Sequence, residues 1–155
     1  MATKLDPGLD RAMKASLKAY ASGDVHFFDY LDDNVRVFNL NSVEPMIGRK
    51  QFEEAFKPTF RTKRKVRIIS SDIQPSGGQA VLAQTLEVTV NGIASVLRQT
   101  VIWNSDQDDN WKMSHIHNAL VGQPVATGKL PPTAKGVRVL NERIATVAAT
   151  VGVAQ

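Results

Sequence analysis

Three histidines, a pair of acids near a helix break and one helical tyrosine are the side chains of this 155-residue chain best suited to moving a proton or holding a ligand. His115 and His117 stand two apart in WKMSHIHNAL. On a strand their rings project to one side, roughly 7 Å apart at the backbone. A neutral imidazole donates and accepts at once, which suits a proton relay or the polar part of a cavity wall. With a third ligand such as His26 or Asp29 the pair would also match a metal site. Hydrogen-bonded histidines on a half-polar sheet face are the simpler reading, so no metal is expected. His26 and Asp29 lie on one side of a helical turn and fit a general base with its carboxylate. Asp24 beside them reads as a helix cap. Tyr20 is either a donor or a core residue with a polar tip. No Gly-x-Ser-x-Gly, phosphate loop or dinucleotide fingerprint appears, so acyl-hydrolase, nucleotide and nicotinamide chemistry lack local support and no cofactor is expected.

The elements that must position these residues begin with an α-helical pattern. Asp6-Pro7 is a cap followed by proline at the first helical position. Leu9, Met13, Leu17 and Tyr20 then recur at helical spacing up to Gly23. A second, shorter helix carries Phe27, Phe28 and Leu31 and is expected to stop near Asp33-Asn34. Val35–Phe38 is a strand. A third helix after Gly48 presents Phe52, Ala55, Phe56 and Phe60. From Val66 the period becomes extended: one strand to Gln74, a second over Ala80–Val90, the Asn91-Gly92 hairpin signal, and a third over Ile93–Trp103. Asn104–Asn110 turns the chain into a final strand from Trp111 to Leu120. Gln99, Val101 and Trp103 are expected on one face of this last ribbon, and Trp111, Met113, His115 and His117 on one face of its partner strand. The fold class is therefore α+β, helices packed on one face of a curved antiparallel sheet. This domain spans residues 1–122. Residues 123–155 form a linker and a helix over Thr133–Val151, with an apolar seam at Val137, Leu140, Ile144, Val147 and Val151 that packs in cis or on a partner subunit.

Composition bounds the rest. There is no cysteine, which excludes disulfides, thiolate metal sites and cysteine nucleophiles. The start MATKLDPGLDRAMK has no apolar core of a signal peptide and no stretch approaches a membrane span, so a cytoplasmic protein without a membrane partner is expected. The net charge of +4 concentrates in KPTFRTKRKVR, Lys57–Arg67. No aromatic stacking pattern accompanies these charges, so the run reads as a solvated turn between a helix and a strand, and no nucleic-acid partner is expected.

The order helix, broken helix, strand, helix and four long strands resembles the nuclear transport factor 2-like superfamily, a cone-shaped α+β barrel around a cavity. Thr100-x-x-Trp103 with Trp111-Lys112-x-x-His115-x-His117 is similar to the calcium/calmodulin-dependent protein kinase II association domain and to SnoaL-like proteins. The resemblance covers about residues 8–120 and implies a homodimer or larger ring built through the open sheet face. The association domain's pocket arginine falls on Val101, so its anion binding does not carry over. Asp32–Phe38 resembles the ketosteroid isomerase segment bearing the general base, but that position is Phe38, which cannot take a proton. The expectation is a non-catalytic, self-associating module for a small hydrophobic ligand, its apolar cavity lined by Tyr20, Phe28, Phe38, Phe56, Val101, Trp103, Met113, His115 and His117. The competing expectation is a lyase or isomerase on a hydrophobic cyclic substrate, with His115, His117, His26, Asp29 or Tyr20 moving protons.

Overall fold

In the computed structural model, which describes residues 4–40 and 42–126, the chain opens with helix α1, Pro7–Ser22. The Asp6 side chain accepts from the backbone N–H groups of Gly8 and Leu9, supplying partners that a helix start otherwise lacks. Gly23 ends the helix in the left-handed region at φ 71°. A Cβ there would lie 2.7 Å from the backbone of Arg61, so only glycine lets the end of α1 approach that segment this closely. Asp24 caps a 3₁₀ helix, Val25–Tyr30, that leads directly into strand β1, Leu31–Phe38. The strand thus starts at Leu31 rather than Val35. Leu31 is fully buried and pairs with Met113 across the sheet, a contact local periodicity does not contain.

After β2, Met46–Ile47, helix α2 spans Arg49–Phe60 and buries Phe52, Phe56 and Phe60. Ala55 is exposed, against the expected stripe, because the buried residues follow a strict i, i+4, i+8 line. Strands β3 (Lys65–Ser76), β4 (Gln79–Val90), β5 (Ile93–Ser105) and β6 (Trp111–Leu120) then form the meander. Asn91 and Gly92 make the β4–β5 turn with φ of 50° and 76°, the positive pair that matches strand twist. The Asp106 carboxylate organises the next turn, accepting from the N–H groups of Asp108 and Asn110.

The sheet order is β2-β1-β6-β5-β4-β3, and the short β7, Val125–Ala126, pairs with β5. All pairings are antiparallel except β1 with β6, which is parallel. The sheet curves over the helices as a cone but does not close into a barrel. Its inner face and the helices bury the main core, with Leu9, Phe28, Phe56, Phe60, Val101 and Trp103 at its centre. The helix expected over Thr133–Val151 lies outside the described residues.

Candidate functional site: a cavity between helices and sheet

Between α1, α2 and the inner sheet face lies a cavity of about 220 Å³. Its apolar wall comes from Met13 and Leu17 on α1, the α2 phenylalanines, and Leu82, Val101, Trp103 and Ile116 on the sheet. Of the nine residues expected to line a cavity, Tyr20, Phe56, Val101, Trp103 and Met113 lie on its wall. Phe28 is buried just behind, its ring 4.7 Å from that of Phe60, and completes the core rather than the wall.

Phe38, His115 and His117 are on the other side of the sheet. On β6, Met113 pairs with Trp103 but His115 pairs with Ile102, leaving Ser114 as an extra residue. This β-bulge inverts the alternation, so Trp111 and Met113 point in while His115 and His117 point out. The Ser114 hydroxyl donates to the Ile102 carbonyl at 3.3 Å and accepts from Asn104 at 2.6 Å, which fixes the bulge. Phe38 follows the buried Val37 and so faces outward, its ring centroid 5.3 Å from His115 and 6.1 Å from His117.

His26 and Asp29 do meet, Nδ1 to Oδ2 at 2.9 Å, but on the exposed 3₁₀ helix and away from the cavity wall. The hydrogen bond to Asp29 raises the His26 pKa, and the same bond lowers that of Asp29. Arg49 adds a second donor to Asp29 at 3.1 Å. The cluster ties the 3₁₀ helix to α2. Among the described residues no group of three His, Asp or Glu side chains is placed to hold a metal.

Tyr20 lies where burial pushes its phenol up to about 12, so it stays protonated at neutral pH and can donate. The buried Arg64 guanidinium sits 4.7 Å from its ring centroid and 4.8 Å from that of Phe60. The basic run is therefore partly folded into the structure: Arg64 turns inward, and Arg67 pairs with Glu87 at 3.2 Å.

Sequence reasoning missed the polar residues of the wall: Ser16 on α1, Ser71 on β3, Gln84 on β4, Gln99 on β5 and Asn118 on β6. The charged residues on the wall are Asp10 and Lys14, joined to each other at 2.8 Å and solvent-accessible.

A cone of curved sheet over N-terminal helices, enclosing a hollow, defines a nuclear transport factor 2-like fold. Residues 9–121 match the model of the SnoaL-like domain, and the chain belongs to that family. No curated protein matches it significantly in sequence. Among solved structures it is similar to the S. rosetta calcium/calmodulin-dependent protein kinase II hub, at 21% identity and TM-score 0.63 over 77% of this chain and 100% of that one. A protein provisionally named a ketosteroid isomerase, from Parabacteroides distasonis, aligns at 21% identity and TM-score 0.63, over 73% and 85% of the two chains. A nuclear transport factor 2-like protein of unknown function from Pseudomonas putida aligns at 12% identity and TM-score 0.65, over 80% and 94%.

Proposed function

We propose that this protein is a non-catalytic module that binds a small, mostly apolar ligand in the cavity and self-associates through the outer sheet face. The observation that carries the reading is the cavity itself, about 220 Å³ with apolar walls and neutral amide and hydroxyl groups. An apolar cavity of about 150 Å³ accepts benzene, so this one has room for a two-ring compound. Self-association is supported by the outward apolar side chains Phe38 and Ile47, exposed by 38% and 53%, beside the two outward histidines. The resemblance to a kinase hub points the same way. No helix among the described residues is long and apolar enough to cross a membrane, and a chain free of cysteine suits a reducing cytoplasm.

The test is native mass spectrometry and light scattering of the purified full chain, followed by titration with neutral aromatic compounds while tryptophan fluorescence is read. Saturable quenching together with a dimer or larger ring is expected. A strictly monomeric protein at micromolar concentration would remove the assembly half, and an absence of saturable binding the other.

One observation favours a second reading, a lyase or isomerase: the protonated Tyr20 phenol at the cavity wall can donate to a carbonyl oxygen as charge develops there. A compound that binds and is turned over, with loss of turnover in Tyr20→Phe and retained binding, would establish it.

A further inference from the structure

Among the sheet residues that line the cavity, the polar ones fall along one line that runs across the strands. Ser71 on β3 pairs with Gln84 on β4, Gln84 with Gln99 on β5, and Gln99 with Asn118 on β6. All four line the cavity. On one side of this line the next row inward is Ile68, Leu86, Leu97 and Leu120; on the other it is Ile73, Leu82, Val101 and Ile116. The amides bond head to tail: Gln84 Nε2 donates to Gln99 Oε1 at 2.7 Å, and Gln99 Nε2 to Asn118 Oδ1 at 2.9 Å. Asn118 Nδ2 continues to Asn39 Oδ1 at 3.3 Å.

A primary amide has two N–H donors and one oxygen with two acceptor sites. The chain uses one N–H from each of Gln84, Gln99 and Asn118, so a second N–H on each lies outside it. The oxygen of Gln84, at the head of the chain, is not used by it at all. Gln84 therefore brings to the cavity an acceptor and a donor on one planar group, held in place by the bond to Gln99. Ligands differ in how they meet this. A hydrocarbon leaves every one of these groups dry on binding. A ketone can take an N–H but offers nothing to the Gln84 oxygen. A carboxylate lacks a cation, because the lysine on the wall, Lys14, already pairs with Asp10. A cyclic amide supplies one acceptor and one donor side by side and matches both.

We infer that the Ser71–Gln84–Gln99–Asn118 row is the polar recognition element of the cavity, and that it selects neutral ligands bearing a lactam or carboxamide edge on an apolar ring system. The inference rests on the cavity being a ligand site, as proposed above. Because the ladder already fixes the amide planes, little ordering is left to do when the ligand arrives.

Calorimetric titration of the full chain with four two-ring probes tests it: 2-quinolinone (a lactam), 1-tetralone (a ketone), naphthalene and 2-naphthoate. The lactam is expected to bind at least about tenfold more tightly than each of the others. Gln99→Leu, which breaks the ladder at its centre, should cost the lactam about tenfold and leave naphthalene within about twofold. Should that variant fail to fold, the four-probe ranking on the unmodified chain still decides the matter. Naphthalene or 1-tetralone equalling the lactam, or a Gln99→Leu variant with unchanged preference, would overturn the amide row while leaving the cavity a ligand site. If none of the four binds, the proposed function itself fails.

Discussion

The indole N–H of Trp111 donates to Asp6 Oδ1 at 3.1 Å, fastening the last long strand to the cap of the first helix. The same oxygen accepts from the N–H groups of Gly8 at 2.8 Å and Leu9 at 3.0 Å. These bonds, that from Leu9 foremost, hold the Asp6 carboxyl below its ordinary value of 3.8. A depressed folded-state pKa contributes stability above the unfolded value that is lost as pH falls through the folded one. Asp6→Ala should therefore lower the thermal midpoint by a few degrees at neutral pH, with the gap to the parent closing as pH drops below 3.8. Circular-dichroism melts across acid pH measure this; parallel curves would show that the bond contributes nothing.

Arg64 is the buried cation most exposed to test by substitution. Its Nη1 donates to the carbonyls of Tyr20, Phe60 and Thr62 at 2.9–3.0 Å, joining the ends of both helices. Arg64→Met keeps the stem and removes the donors. It should cost about 2–4 kcal/mol, since charge-assisted bonds are lost, the one to the Phe60 carbonyl from a buried site. Chemical denaturation reads the loss directly; a cost under about 0.5 kcal/mol would mean that water replaces the guanidinium.

Because the Ser114 bulge turns His115 and His117 outward, a ligand in the cavity should not protect them. Saturating ligand is expected to leave their acylation by diethylpyrocarbonate unchanged while quenching Trp103. Conversely, alanine at both histidines should weaken self-association and leave ligand affinity within about twofold. Protection of either histidine by a cavity ligand would place it back on the inner face.

His26 gives a pH signature of opposite sense to that of Asp6. Its pKa is raised above 6.5, first by the hydrogen bond to Asp29. The stability this brings is complete below 6.5 and disappears as pH rises through the folded value. The pair is exposed and Arg49 stays on Asp29, so the effect is small. His26→Gln should flatten the midpoint-versus-pH curve on the alkaline side of 6.5 and leave cavity binding untouched. An unchanged slope would assign that titration to other groups.

Much of the fold was legible because its signals are local. The Asp6-Pro7 cap, the Asn91-Gly92 hairpin and the alternation of Gln99, Val101 and Trp103 each act within a few residues. What failed was set by pairing between distant segments. The Ser114 bulge exists only relative to β5, and nothing in WKMSHIHNAL marks it, so every residue after it was assigned to the wrong face. Phe38 alternates correctly with Val37, but which of them faces inward depends on the parallel pairing of β1 with β6. Half of the amide row was within reach. Counting outward from the Asn91-Gly92 turn, Gln84 and Gln99 fall opposite each other, each a polar break in an apolar face. Asn118 was not, because the bulge hid its direction.

The helical roof is pinned at two places, at its start by the indole of Trp111 and at its end where Gly23 lets α1 press on the backbone of Arg61. On the other side of the hollow, β3 is an edge strand: it pairs along its length with β4 and, among the described residues, with no other strand, and it carries exposed side chains along most of its length. Ile68 and Ser71, both on that strand, form part of the cavity wall. One side of the hollow is thus an edge strand, so substitutions along β3, far from either helix, bear on the shape of the cavity wall.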